Sequence, residues 1–295
     1  MTRRVLLVGD AMLDVVVRPV GPLAATSDTP ASVRVGRGGS AANLAVALRS
    51  VMDATYEIVF AGVAGNDAAA HIIRADLARS HVVAHLATFD GATGVVVSLV
   101  GESGERAMMT ERGANAELTF EHVVTLMDSS LAHLHVSGYT VLDERTRELV
   151  PRLLQAADAL GATTSIDVCS VGPLHSVGVE TFVVAARHAT MLFANEEEAM
   201  SLSATSDVET ALATLALTWR EVMITRGAEG ALVGRDGKTF SARTRVDDVV
   251  DTTGAGDCAT GTYLGNRLVG IDVQESLTRA MSAAARVVRG LGSRG

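Results

Sequence analysis

Between residues 131 and 225 the chain alternates short apolar runs with longer segments of helical spacing, and this rhythm limits the fold more than any other feature. Strands are expected at Leu131 to Val136, Thr163 to Asp167, Met191 to Ala194 and Glu221 to Thr225. Helical segments at Asp143 to Leu160, Thr181 to Arg187 and Val208 to Leu217 separate them. Strand–helix alternation implies a parallel sheet covered on both faces. In such sheets ligands sit beyond the carboxyl ends of the strands. The first half adds strands at Val5 to Val8 and Glu57 to Val63, and helices at Gly39 to Ser50 and Asp67 to Arg79. At 295 residues, 48% of them hydrophobic, the chain suits one large α/β unit with an ample core.

Four extended pieces stand outside the alternation. Val15 to Arg18 and Ser32 to Val35 flank a link rich in Pro, Gly, Ser and Thr. Val95 to Val100 and Ala107 to Thr110 read as a hairpin around Gly101-Glu102-Ser103-Gly104. They form either an edge hairpin of the main sheet or a separate small sheet.

The most informative local signal is Asp251 to Asp257, which reads DTTGAGD. It follows an extended stretch, Thr244 to Val250, and opens a helical apolar run, Ala255 to Leu268. A Gly-rich turn feeding a helix presents unpaired N–H groups and the positive dipole end to an anion. Asp257 falls in the first helical turn, beside any anion held there. A carboxylate in that place makes chemical sense if it handles a proton; the plain alternative is an acid stabilising its own helix.

The whole heptapeptide matches a fingerprint of the PfkB (ribokinase-like) carbohydrate kinases. A second fingerprint of that family is matched by Gly38-Gly39-Ser40-Ala41-Ala42-Asn43-Leu44-Ala45. Gly9-Asp10 through Asp14, Asn195-Glu196-Glu197-Glu198 and Thr225-Arg226-Gly227-Ala228-Glu229-Gly230 add to the resemblance, which covers residues 3 to 292. It implies a ribokinase-like three-layer α/β/α sandwich with a mostly parallel central sheet and a small β-sheet lid. Residues 1–295 would form one kinase domain, with the lid built from about 11–37 and 89–112. Because family lids often pair, a homodimer is implied.

The resemblance also assigns roles. Asp257 would be the general base toward a sugar hydroxyl, with Gly254, Ala255 and Gly256 as the anion hole. Asp14, Gly38, Gly39 and Asn43 would hold the sugar. Asn195, Thr225, Gly227, Gly230, Gly254 and Gly256 would hold ATP. Glu198 would organise Mg²⁺ through water, which suits an ion reluctant to shed its hydration; the plain alternative for Asn195 and Glu198 is a helix cap with acid in its first turn. Asp251 and Thr253 match a K⁺ site of potassium-activated members. Four positions depart from ribokinases: Ser40 replaces their Lys, Met12 and Met281 replace Asn, and Ser137 replaces Glu. The first, second and fourth weaken the case for ribose itself, and the third leaves the adenine contact unassigned.

Other features narrow the partners. A formal charge of −9 argues against nucleic acid. Cys169 and Cys258 are too far apart in sequence for a ligand motif and suit a reducing cytoplasm. Neither a signal peptide nor a membrane-length apolar run is expected. His133 and His135 share one strand face, but with no third ligand they do not suggest a metal site. Arg106, Arg112 and Tyr139 are placed toward the substrate cleft, where an Arg would suit a carboxylated or phosphorylated sugar; ordinary surface arginines are the plainer alternative. The leading expectation is an ATP-dependent kinase for a primary hydroxyl of a small monosaccharide. The alternatives are a nucleoside kinase of the same fold, which 3% aromatic content disfavours, and a non-catalytic sugar or nucleotide sensor.

Overall fold

The computed structural model describes residues 2–101, 106–244 and 254–289. Thirteen strands are present among them: β1 (Arg3–Val8), β2 (Met12–Pro19), β3 (Ala31–Gly38), β4 (Tyr56–Ala64), β5 (Val83–Thr88), β6 (Gly94–Val100), β7 (Arg106–Glu111), β8 (Leu131–Ser137), β9 (Thr163–Asp167), β10 (Met191–Asn195), β11 (Glu221–Thr225), β12 (Ala231–Arg235) and β13 (Lys238–Ala242). Nine of them form one sheet in the order β13-β12-β11-β10-β9-β8-β1-β4-β5. From β5 to β11 all neighbours run parallel. The pairs β11–β12 and β12–β13 are antiparallel, giving the sheet a hairpin at one end.

Alternate residues of β1 show why its four-residue apolar run had to be a central strand. Leu6 and Val8 enter one apolar layer and Val5 and Leu7 enter the other, all fully buried. A strand buried on both faces has no polar side to show in its sequence. Helices supply both outer layers. On one face the helices Ser40–Arg49, Ala255–Leu268 and Val273–Val287 bury Leu44, Leu48, Tyr263 and Leu277. On the other, the helix Leu149–Ala159 buries Leu153 and Leu154.

The four remaining strands form a separate sheet in the order β3-β2-β6-β7, not an edge hairpin. Its pairing puts Val15 opposite Val35 and Val97, and Val97 opposite Met109, so these side chains share one face. Asp14, Val96 and Thr110 share the other face.

Several boundaries differ from those expected. The helix anticipated from Asp143 to Leu160 forms only over Leu149–Ala159, and a separate short helix, Tyr139–Leu142, precedes the anticipated range. Asp143 holds the chain out of the helix at its expected start: its carboxylate accepts from the Arg145 N–H at 2.8 Å and pairs with Arg112, competing with helical bonding. The last helix, Val273–Val287, is capped by Asp272, which accepts from Glu275 N–H at 3.0 Å. Strands β5, β12 and β13 were not anticipated. Nearly all of the expected extended stretch at Thr244 to Val250, and the hairpin tip at 102–105, lie outside the described residues.

Candidate active site

A cleft of about 1180 Å³ opens where the small sheet faces the carboxyl ends of β8–β11. Its walls bring together Asp14, Gly39, Asn43, Asn195, Glu198 and Thr225, which are far apart in sequence. Gly254, Gly256 and Asp257 complete its floor.

Asp257 lies in the first turn of Ala255–Leu268, whose cap residue Gly254 has φ 72°, the left-handed region. Its two oxygens are held separately. Ser40 Oγ donates to Oδ1 at 2.8 Å and Asn43 Nδ2 donates to Oδ2 at 2.9 Å. Both donors lie on the helix Ser40–Arg49, where Asn43 N–H bonds the Gly39 carbonyl at 2.9 Å. Burial raises the Asp257 pKa, opposed by the Asn43 and Ser40 hydrogen bonds and by Arg37. Burial also pushes Asp14 up to about 6, with Asp257 adding to the shift and Arg37 opposing it.

Two further acids close the far side. Glu198 is 3% exposed and lies in the first turn of the helix Glu196–Ser203. Its N–H bonds Asn195 Oδ1 at 2.9 Å, and its carboxylate accepts the Asn195 N–H at 2.8 Å, a complete capping box. Burial pushes Glu198 up to about 7, against the Asn195 hydrogen bond and with help from Glu197 and Asp257. Asp167, at the end of β9, is raised well above its ordinary value by burial and by Glu198 and Asp257. Such a cluster of desolvated acids suits a site that will receive cations or protons.

The glycines divide into two kinds. At Gly38 an added Cβ would lie 1.9 Å from Asp14 Oδ1, and at Gly39, with φ 92°, 2.2 Å from the Asp10 carbonyl. These two make room for Asp14 and the β1–β2 turn rather than only for a ligand. At Gly256 an added Cβ would meet nothing within 4 Å. It would project into open space beside the cleft, so this backbone can be approached closely.

Thr225 ends β11 and lines the cleft, while its neighbour Arg226 lines a second cavity of about 420 Å³ with Ala228, Glu229, Arg243 and Thr244. Gly227 opens the single turn Gly227–Glu229 between them. Gly230, with φ 95°, has a packing reason of its own, since a Cβ would lie 1.9 Å from the Ala242 carbonyl. Met281 is 4% exposed and accepts a contact from Thr244 Oγ1 at 3.3 Å. Asp251, Thr253 and the K⁺ site they would form lie outside the described residues.

Arg112 and Tyr139 do line the cleft. Arg112 is engaged, with Nε and Nη2 on the two oxygens of Asp10 at 2.8 and 2.6 Å and Nη1 on Asp143. Ser137 Oγ touches Cys169 Sγ at 3.3 Å. His133 and His135 share the Ser165 hydroxyl, at 2.8 Å each, and burial pushes both down to about 3. Among the described residues no three His, Cys, Asp or Glu are grouped to hold a metal. Sequence reasoning missed Asp167 and Arg37. The position of Asp167 at a strand's carboxyl end was its one available signal.

An open α/β sheet, a second sheet across its ligand end and an acid at a glycine-led helix start define a class of small-molecule phosphotransferase. A family model described as pfkB family carbohydrate kinase matches residues 2–295, and the chain belongs to that family. It is thus an ATP-dependent sugar kinase, a phosphotransferase with an alcohol as acceptor. An ATP-dependent ribose-1-phosphate kinase of Halopiger xanaduensis is 29% identical, the match covering 88% of this chain and 83% of the relative. The adenosine kinase of Sinorhizobium meliloti is 25% identical, with a TM-score of 0.89 over 100% of this chain and 96% of its own. A putative ribokinase II of E. coli, solved with ATP and Mg²⁺, shares the fold at 21% identity, with a TM-score of 0.87 over 99% of this chain and 94% of its own.

Proposed function

We propose that the enzyme phosphorylates a primary hydroxyl of a small monosaccharide, with Asp257 as the base. The observation that carries this is the double clamp on Asp257 by Ser40 and Asn43, which aims one carboxylate at the cleft from a glycine-led helix N-terminus. The substrate hydroxyl donates its proton to Asp257 as its oxygen attacks the terminal phosphorus. Raised proton affinity brings the base nearer to working pH, so the transfer is better matched. The N–H groups from Gly254 to Gly256 stabilise the charge developing on the phosphoryl oxygens. Asp14, with Asn43 and the Gly38–Gly39 turn behind it, orients the sugar from the small sheet.

The nucleotide would lie along Gly254–Gly256, Thr225, Gly227 and Gly230, with Asn195 beside its phosphates. The open space at Gly256 fits a phosphate against backbone, and the acids Glu198 and Asp167 fit a bound cation nearby. Mg²⁺ held near Glu198 and Asn195 through water would supply charge neutralisation for the phosphates. Asp251 and Thr253 are the proposed holders of K⁺. The small sheet, roughly 11–37 and 89–112, serves as a lid on a single kinase domain. Its outward row of Val35, Val15, Val97 and Met109 suits pairing with a second copy. Two free cysteines suit work in a reducing cytoplasm.

A nucleoside acceptor is the second reading, favoured by the likeness to the S. meliloti adenosine kinase. Among the described residues Tyr139 is the one aromatic lining the cleft, a thin platform for a base. The test is ADP release with Mg²⁺-ATP across pentoses, hexoses, phosphorylated sugars, sugar acids and nucleosides, with and without K⁺. One sugar should dominate, and Asp257→Asn should lower its kcat by about 10²- to 10⁴-fold while ATP still binds. Near-normal turnover in that variant removes Asp257 from the mechanism; a nucleoside dominating the panel moves the assignment to the second reading.

A further inference from the structure

The clamp on Asp257 has a buried support. Arg37, near the end of β3, is 3% exposed. Its Nε pairs with Asp76 Oδ2 at 3.0 Å, and Asp76, on the helix Ala68–Arg79, is 8% exposed at its side chain. Nη1 of the same guanidinium donates to Asn43 Oδ1. Asn43 then donates through Nδ2 to Asp257 Oδ2 at 2.9 Å.

A carboxamide is nearly symmetric in shape, and its two ends differ only in what they can bond. Guanidinium has donors and no acceptor. It therefore fixes the Asn43 oxygen on its own side and obliges the NH₂ to face Asp257. Without that constraint the amide could turn its oxygen toward a carboxylate, where it would repel rather than hold. We infer that Arg37 is a positioning residue for the phosphoryl-transfer step, fixing the Asn43 amide so that it donates to the base Asp257. This rests on the reading of Asp257 given above. It differs from a contact to substrate, because Arg37 does not line the cleft.

The bland competitor is that Arg37 only fastens β3 to the helix Ala68–Arg79 through Asp76. Burying an ion pair is rarely a gain in stability over apolar packing, so fastening alone gives little reason for a charge here. The two accounts separate by experiment. Arg37→Met would leave Asp76 buried without that partner and endanger folding, so the double variant Arg37→Met/Asp76→Asn removes both charges together. Once the panel has named a sugar, kcat and the KM for ATP are measured for this variant, for Asn43→Ala, and for the two combined.

The positioning role predicts a kcat loss of about 10- to 100-fold with the KM for ATP unchanged. It also predicts that most of this loss disappears in the Asn43→Ala background, because the amide through which Arg37 acts is gone. Arg37→Lys, which keeps the charge but loses the planar fork, should recover little of kcat. A fully additive loss on top of Asn43→Ala, or unchanged kcat with only a lowered thermal midpoint, overturns the inference. Near-normal turnover of Asp257→Asn would instead remove the base on which the inference rests, and the inference with it.

Discussion

At the residue scale, the site rests on side chains whose partners fix both their direction and their charge. Gly38 and Gly256 make opposite predictions from the same substitution. Gly38→Ala drives a methyl into the Asp14 carboxylate, so the protein should lose about 1–3 kcal/mol and its sugar KM should rise. Gly256→Ala meets no neighbour, so the thermal midpoint should hold while kcat falls, on the order of 10²-fold, from a blocked phosphate approach. Equal midpoint losses in both variants would contradict the distinction. Glu198 gives a pH prediction. Its pKa rises from an ordinary 4.5 to about 7, so the folded state binds the proton more tightly than the unfolded chain. That stability is fully present below pH 4.5 and is lost as pH rises through 7. In the ligand-free protein Glu198→Gln should flatten the loss in urea midpoint over this window, and an unchanged slope would refute it. Asp257, Asn43, Asp14 and Glu198 were legible because motif spacing carries them. Arg37 was not, because its link to Asp76 spans 39 positions and only the fold brings them together.

At the element scale, the strands with continuous apolar runs were read correctly because burial on both faces leaves one signature. The last two strands escaped notice because β13, Lys238–Ala242, is an edge strand with polar residues and partial exposure. The non-helical stretch at 143–148 escaped because Asp143 is claimed by Arg112, a partner 31 positions away. The base of β11 carries a different kind of cement. Glu221, 2% exposed, accepts from Tyr263 Oη at 2.6 Å, from Arg267 Nε at 3.1 Å and from Arg235 Nη1 at 2.6 Å. It ties β11 to β12 and to the helix that carries Asp257, but from the end away from the cleft. Glu221→Ala should cost about 3–5 kcal/mol, because two arginines and a phenol lose their shared acceptor. Denaturant unfolding would register that loss, while kcat measured on the remaining folded enzyme should stay near wild type. The buried pair in β8 adds an acid limit: His133 and His135 are neutral in the fold, so stability is lost as pH falls below 6.5 toward 3.

At the scale of the whole molecule, the two sheets divide labour between a closed body and an outward apolar face. Val33, Val35 and Met109 are each more than half exposed on the small sheet. Large apolar residues gathered on one exposed sheet face mark an association surface. Val35→Lys together with Met109→Lys should therefore convert the proposed dimer to a monomer in analytical ultracentrifugation, whereas a wild-type chain already monomeric at micromolar concentration would dismiss it. The division into a parallel body and an outlying sheet was visible in the sequence as a change of rhythm. The face by which the small sheet would associate was not, because Val15, Val35, Val97 and Met109 become a row only through register. The sheet order also has a consequence for how the protein is born. β1 leaves the ribosome before β4 and β8, yet it sits between them, and its pairing with β8 begins only at Leu131. At about 5–20 residues per second, the nascent chain holds one side of this doubly buried strand unpaired for roughly 6 to 26 seconds. During that interval Val5 to Val8 keeps an unpaired apolar edge, and slowing translation before residue 137 should lengthen its exposure.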